Sequence, residues 1–390
     1  MLLIGVLSFF ADATYEGSRS ILGPYLGSLG LTATAIGIVM GLGELLGYGL
    51  RLVSGRWADA TRRFWPITIL GYGVQMASVP ALALTRSWPS AAALIILERT
   101  GKALRNPPRD VMLSHAGGQI GGYGWAFGLH EGLDQLGALA GPLVVAAVLA
   151  SRHDYHAAFA VLLVPAVVNV ALVLTARALY PRPEDLEPPA PPDVRGGGLP
   201  GLYWLYLAGA ALVAAGFADY PLIAYHWSRH AVISGEWTAI FYSVAMAVSG
   251  TGSVVLGRLF DRFGFRVLIV LTAIAAAYAP LVFLGGVWVA LVGAAVWGLG
   301  MGAHESLIPA AVTPLVAPER RASAFGLFTA GYGIFWFLGS AAIGALYDRS
   351  ISAAIAFCVA AQLAALPIFA CVARAYPGAH ARSSQEKQRR

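Results

Sequence analysis

Charge is what this sequence has least of. Only 12% of its 390 residues are Asp, Glu, Lys or Arg, about half the share of an ordinary soluble domain, while 58% are hydrophobic. Such a chain has too little polar surface to face water on every side, which excludes a soluble globular domain. Cysteine is nearly absent: Cys358 and Cys371 stand 13 residues apart on one predicted helix, too far along it to bridge and wrongly spaced for a CxxC metal pair. No G-x-x-x-x-G-K-[ST] loop is present to hold a nucleotide, and no His-rich tail to gather metal. The opening MLLIGVLSFFADA lacks the basic n-region of a signal peptide. It reads as the start of a first span that runs on through Asp12, Glu16 and Arg19.

What is present is apolar sequence in long runs. A bilayer core takes about 20 apolar residues per helix. About twelve such stretches follow one another: 2–28, 33–56, 65–85, 88–113, 121–150 and 156–178, then 201–226, 237–257, 266–284, 287–314, 323–347 and 351–374. The expected fold class is an all-α membrane protein with 12 transmembrane helices. The formal charge of +6 is no nucleic-acid footprint. With the N-terminus inside, sixteen Lys and Arg fall on cytoplasmic segments and four (Arg86, Arg152, Arg229, Arg349) outside, the positive-inside pattern of a multi-pass chain with both termini cytoplasmic. A cell membrane, inner or plasma, is the expected location.

Between the sixth and seventh spans, Pro181 to Gly198 is rich in Pro and acid and too poor in apolar residues to fold. It divides the chain into an N-terminal six-helix bundle (1–180), a cytoplasmic linker (181–200), a C-terminal six-helix bundle (201–376) and a basic tail (377–390). The halves repeat each other. Phe10-Ala11-Asp12 returns as Phe217-Ala218-Asp219, Gly55-Arg-Trp-Ala-Asp59 as Gly257-Arg-Leu-Phe-Asp261, and Phe127-Gly128-Leu129 as Phe325-Gly326-Leu327, each about 200 residues later and in the same order.

These features resemble the major facilitator superfamily, whose two pseudo-symmetric six-helix halves are related by an axis along the membrane normal. The resemblance spans the whole chain. Its loop signature, Gly-x-x-x-Asp-Arg/Lys-x-Gly-Arg-Arg/Lys, is kept in the second half as Gly257, Asp261, Arg262, Gly264 and Arg266. In the first half Gly55, Asp59 and Arg63 fit, whereas Ala60 and Arg62 depart from it. Gly137-Ala-Leu-Ala-Gly141-Pro142 looks like the family's Gly-Pro antiporter motif, with Gly339-Ser340 as its counterpart. The resemblance implies alternating access around a midplane site. It also implies gating roles for Asp59, Arg63, Asp261, Arg262, Gly141 and Pro142.

A charge at a helix centre costs about 2.5–3.5 kcal/mol on insertion scales, so such residues normally face a cavity. Fifteen fall within the spans. Thirteen are in the first half, namely Asp12, Glu16, Arg19, Glu44, Arg51, Glu98, Arg99, Lys102, Arg105, Arg109, Asp110, Glu131 and Asp134; only Asp219 and Glu305 lie in the second. Asp12, Glu16 and Arg19 share one helix face, as do Glu98, Lys102, Arg105 and Arg109, Glu44, Tyr48 and Arg51, and His130 with Asp134. Four polar stripes in one half are expected to converge on a hydrated cavity.

Buried carboxylates can carry protons, which makes Asp12, Glu16 and Asp134 the candidate couplers. Arg forks suit anions, which makes Arg19, Lys102, Arg105 and Arg109 candidate substrate contacts, with structural ion pairing as the competing role. Glu98 and Arg99 lie toward the outer end of their span, where solvent can reach them. His130, Tyr48, Tyr225, His226, His304 and Glu305 complete the candidate substrate set; a lone His in an apolar span is otherwise a hydrogen-bonded core residue. Tyr15, Trp297, Tyr332 and Trp336 are further aromatic candidates. His130-Glu131-Gly-Leu-Asp134 falls short of the zinc-protease helix, since Asp replaces its second His. Pro24, Pro142, Pro221 and Pro309 are expected to kink or break helices.

The expected function is secondary active transport of a small polar or anionic organic solute. Proton-coupled export by antiport is favoured over proton-coupled uptake of an organic anion and over a transition-metal or metal-chelate exporter. A membrane enzyme lacks a convincing nucleophile and base, and a non-transporting scaffold leaves the stripes without a role. No cofactor or resident metal is expected. The expected partners are the small-molecule substrate, protons and lipid, and the expected state is a monomer.

Overall fold

The computed structural model describes residues 2–61, 64–118, 123–181, 198–317 and 320–376. Among them are helices and turns and no strand. The helices are α1 (Leu2–Arg19), α2 (Leu22–Ser28), α3 (Ala33–Thr61), α4 (Phe64–Ala81), α5 (Trp88–Gly118), α6 (Tyr123–Arg152), α7 (Tyr155–Val161), α8 (Leu163–Leu179), α9 (Gly201–Ala215), α10 (Tyr220–Arg229), α11 (Gly235–Phe263), α12 (Arg266–Ala275), α13 (Tyr278–Leu284), α14 (Val287–Gly302), α15 (Ile308–Ala310), α16 (Arg321–Arg349) and α17 (Ile351–Ala375). Joined end to end across short turns, the described residues form twelve rods, whose limits follow the twelve hydrophobic stretches.

Ten of these rods are long and apolar enough to cross a membrane by length and composition. The two that fall short are α1 with α2, and α5. What sets them apart is charge: Asp12, Glu16 and Arg19 on α1, and Glu98, Arg99, Lys102, Arg105, Arg109 and Asp110 on α5. An apolar solvent penalises each of these unless protein surrounds it.

Rods break where proline or a change of helical pitch permits. Pro24 follows the turn between α1 and α2, Pro221 opens α10, and Pro309 follows a π-helical turn over Ala303–Leu307. Pro142 is different: it lies inside continuous α6, as do Pro107 and Pro108 inside α5. Such prolines are tolerated in membrane helices because neighbouring groups re-satisfy the freed carbonyls.

The chain forms two compact units. The first comprises residues 1–190 and 219–247, so α10 and the start of α11 pack with the first six rods; the second comprises residues 191–218 and 248–390. In the first unit α1 lies along α6. Contact is close enough that a Cβ on Gly137 would stand 2.2 Å from the Phe9 carbonyl oxygen, and one on Gly141 2.0 Å from that of Ala13. The second unit repeats this crossing between α9 and α16, where a Cβ on Gly339 would stand 2.2 Å from the Ala215 carbonyl oxygen. A core of Leu7, Trp65, Tyr72, Met76 and Val173 ties α1, α4 and α8 together.

Candidate functional site

The charge-bearing faces of α1, α3 and α5 meet, together with the acid before α10. Arg19 on α1 reaches Glu44 on α3 (3.2 Å) and Asp219 at the start of α10 (3.4 Å). Glu44 also receives Arg99 of α5 (2.9 Å), which lies 3.6 Å from Glu98. Gln75 of α4 donates from its amide nitrogen to Glu98 (2.9 Å) and accepts from Arg105 Nε through its amide oxygen (2.5 Å). Arg105 also donates to the Tyr72 hydroxyl (3.0 Å) and lies 3.7 Å from Asp12. These contacts make one connected path of alternating sign: Asp219, Arg19, Glu44, Arg99, Glu98, Gln75, Arg105, Asp12. Pairing at these distances offsets the desolvation of each charge, and removing one member strands its neighbours.

Tyr15 lines the same space. Arg19 donates to its hydroxyl (2.7 Å), and the Arg99 guanidinium and Lys102 ammonium lie 4.9 Å and 3.8 Å from its ring centre, a cation–π arrangement. Lys102 has no ion pair among the described residues. Glu16, one turn before Arg19, is 5% exposed and accepts a hydrogen bond from the Tyr242 hydroxyl of α11 (2.5 Å).

The other predicted residues fall around this network. On α6, His130 Nε2 stands 3.5 Å from Asp134, and Glu131 turns outward to accept from Gln135 (3.0 Å). Arg109 is half-buried on the α5 face. On α3 the Arg51 guanidinium lies 5.4 Å from the Tyr48 ring centre. Tyr225 and His226 are buried on α10: Arg229 donates to the Tyr225 hydroxyl, and the His226 ring lies 4.6 Å from that of His230. A cleft of about 510 Å³ opens beside Tyr155, Tyr225, Ser228 and Arg229. Gly141 serves the α1–α6 crossing, with Pro142 next to it. Asp261 and Arg262 are exposed at the end of α11. Arg63 and the side chain of Asp59 lie outside the described residues.

In the second unit His304 is buried by aromatic rings rather than by charge. It sits in the π turn, hydrogen-bonded to the Tyr332 hydroxyl, with Phe217 at 4.2 Å and Trp336 at 5.0 Å between ring centres. Trp297 stacks on Phe217 (5.4 Å) and donates to the Ala218 carbonyl (2.9 Å). The neighbouring Glu305 is exposed. Among the described residues no three His, Cys, Asp or Glu are grouped to hold a metal ion, and both cysteines are free thiols.

Three participants escaped the sequence reading. Gln75, Tyr72 and Tyr242 are neutral, so a search for misplaced charge passes over them; the signal they offered was a polar group in an apolar run. Glu98 and Arg99, expected near solvent, are each only 6% exposed, because α3 and α4 both pack against α5.

The sequence model of the Major Facilitator Superfamily matches residues 2–304 and 201–390 of the chain. The chain belongs to the major facilitator superfamily. An uncharacterized protein of Mycobacterium tuberculosis is 40% identical over 373 residues, 93% of this chain and 90% of the relative. An uncharacterized MFS-type transporter of Methanocaldococcus jannaschii is 25% identical over 357 residues, 89% of this chain and 88% of the relative. Among solved structures, a peptide transporter POT in complex with alafosfalin aligns with a TM-score of 0.74 at 15% identity, covering 97% of this chain and 94% of its own. The nucleoside transporter NupG aligns at 0.72 and 14% identity, covering 97% and 99%. At these identities the likeness is one of fold. As a superfamily member the chain is a multi-pass membrane transporter.

Proposed function

We propose that this transporter is a proton-coupled exporter that moves a small polar or anionic organic solute by antiport through alternating access, in a cell membrane with both termini cytoplasmic. The observation that carries the reading is the contrast between Glu16 and its neighbours. Glu16 is a buried carboxylate whose partner is a phenol rather than a guanidinium, one turn from Arg19, which is itself shared between two acids. A phenol can hold either protonation state of a carboxylate, whereas a guanidinium favours the anion. Glu16 is therefore the leading proton carrier, with Asp12 and Asp134 beside it. Energy from a gradient fits a sequence without a nucleotide-binding loop, and the Gly-Pro pattern ending at Pro142 favours exchange.

The anion contact shifts within the predicted set. Arg19 and Arg105 are engaged by Glu44, Asp219 and Asp12, and Lys102 is the cation held over the Tyr15 face. Lys102 is assigned to the substrate's negative group, with Tyr15 and Tyr48 as aromatic walls.

The test begins with a thermal-shift screen of organic anions, cationic compounds and divalent metals at two pH values. Flux of each hit is then measured in proteoliposomes bearing a proton gradient. Glu16→Gln is expected to abolish gradient-driven flux while leaving gradient-independent exchange, and Lys102→Gln to weaken substrate affinity at least about tenfold, the loss of one charge-assisted contact. Wild-type proton-driven rates in Glu16→Gln, Asp12→Asn and Asp134→Asn alike would defeat the coupling assignment.

A further inference from the structure

Gln75 is completely buried and is the one neutral member of the path that runs from Asp219 to Asp12. Its position follows from a close helix crossing. A Cβ on Gly71 of α4 would stand 2.7 Å from the Arg105 backbone nitrogen, and one on Gly101 of α5 2.7 Å from that of Gln75. Two glycines thus let α4 and α5 approach until the Gln75 amide fits between Glu98 and Arg105, which lie two turns apart on α5.

An amide suits that gap as few side chains can. It offers a donor toward an acid and an acceptor toward a base from one planar group. Its orientation is dictated from both ends: turned over, it would set oxygen against carboxylate and NH₂ against guanidinium. The two bonds are therefore linked through a rigid plane. Loss of charge on Glu98 frees the amide to turn, and a turned amide takes from Arg105 the acceptor of its Nε. Arg105 is then held by Tyr72 and Asp12 alone. The converse holds when Arg105 moves. Gln75 also stands where Arg105 would otherwise collapse onto Glu98, which preserves the approach of Arg105 to Asp12.

We propose that Gln75 is a positioning residue that couples two ion clusters, Arg105 with Asp12 on one side and Glu98, Arg99, Glu44, Arg19 and Asp219 on the other. A change of charge at Asp12 is then felt in the contacts that Arg19 makes to α3 and α10. Other groups face Asp12 as well, namely Lys102 of α5, which is within electrostatic reach of Glu98 too, and the His130–Asp134 pair of α6, and Glu16 follows it on α1; the Gln75 amide differs from Lys102 in being hydrogen-bonded to Glu98 and Arg105 at once. The coupling concerns linkage between side chains and is independent of what the transporter carries.

A triple set of variants in the purified full-length protein tests this. Unfolding equilibria in detergent are measured for Asp12→Asn, Glu98→Gln and the pair, first with Gln75 present and then in Gln75→Met, which fills the same volume with no hydrogen-bonding amide. With Gln75, the two neutralisations are expected to be non-additive by at least about fivefold in the unfolding equilibrium. In the Gln75→Met background they become additive. Should that variant fail to fold, Gln75→Leu serves: it neither donates to Glu98 nor accepts from Arg105 and adds no charge, and additivity is expected again. Additivity in the native background, or equal non-additivity with and without the amide, would overturn the proposal and leave Gln75 a filler of space. Proton flux is not read here, so a failed cycle leaves the proposed function standing, and a transporter without proton coupling leaves the cycle's result intact.

Discussion

The two units are built on one scaffold and filled with different chemistry. In the first, Glu16, Arg19, Glu44, Glu98, Arg99, Arg105 and Asp219 are all less than one-tenth exposed. In the second, no Asp, Glu, Lys or Arg among the described residues is buried to that degree, and Phe217, Trp297, His304, Tyr332 and Trp336 form a buried ring cluster. Even Asp219, the sequence counterpart of Asp12 in the second repeat, packs with the first unit. Duplicated helices therefore do not carry duplicated charge: among the described residues the first unit buries carboxylates and guanidiniums, and the second packs aromatic rings around one imidazole.

Under that division, the largest effects come from removing a shared charge. Arg19→Met leaves Glu44 and Asp219 without their common guanidinium, and breaking a buried pair in this way costs about 3–5 kcal/mol. Thermal or denaturant unfolding in detergent would show it, with partial recovery on adding Asp219→Asn, while Glu44 keeps Arg99. The matching neutralisation in the second unit, Glu305→Gln, is expected to stay within about 0.5 kcal/mol, as for an exposed site. Equal losses from the two would break the comparison.

The sequence disclosed these parts unequally. The limits of the helical rods were legible, ten of them long and apolar enough to cross a membrane, because lipid imposes a length on every helix, and the charged stripes because their spacing of four and three residues fits a helical face. Partners were not. Asp12 and Asp219 look equivalent in Phe-Ala-Asp, yet Asp12 lies within α1 facing Arg105 while Asp219 stands at a rod break, where its side chain turns to Arg19. The tripeptide itself does not distinguish them; Pro221, two residues after the second acid and without a counterpart after Asp12, marks the break at which Asp219 stands. Gln75 and Tyr242 were hidden for another reason: their role depends on residues 23 and 226 positions away.

A second prediction tests the shared scaffold rather than the differing contents. Gly141→Ala and Gly339→Ala each place a methyl about 2 Å from a carbonyl oxygen of the facing helix, so both should destabilise by about 1–3 kcal/mol, the usual cost of overpacking. The two losses should be alike, although only Gly141 precedes a proline. A loss confined to Gly141→Ala would mean that the two crossings are not equally tight and that the scaffold is not shared at this point.

The smallest expected effect lies at corresponding helix starts. Asp154 caps α7, the sixth rod, by accepting from the amides of His156 (3.0 Å) and Ala157 (3.1 Å); Ser350 caps α17, the twelfth, by accepting from Ala353 (3.4 Å). Removing either cap costs about 1 kcal/mol, but only the first can titrate. Slight burial opposes ionisation of Asp154, and hydrogen bonds from the two amides and the His156 ring outweigh it, holding the carboxyl below its usual range. A carboxyl lowered by folding stabilises the native state fully above the unfolded value, about 3.9, and loses that contribution as pH falls through the folded one. Asp154→Ser, which copies the cap at the other rod, should therefore match the native protein at neutral pH and lose less stability than it on acidification. Unfolding curves of the two proteins, compared pH by pH, isolate this effect from every other carboxylate, because all the rest are common to both. If the curves stay parallel into acid, the cap does not depend on the Asp154 charge, and the two helix starts are equivalent in chemistry as well as in place.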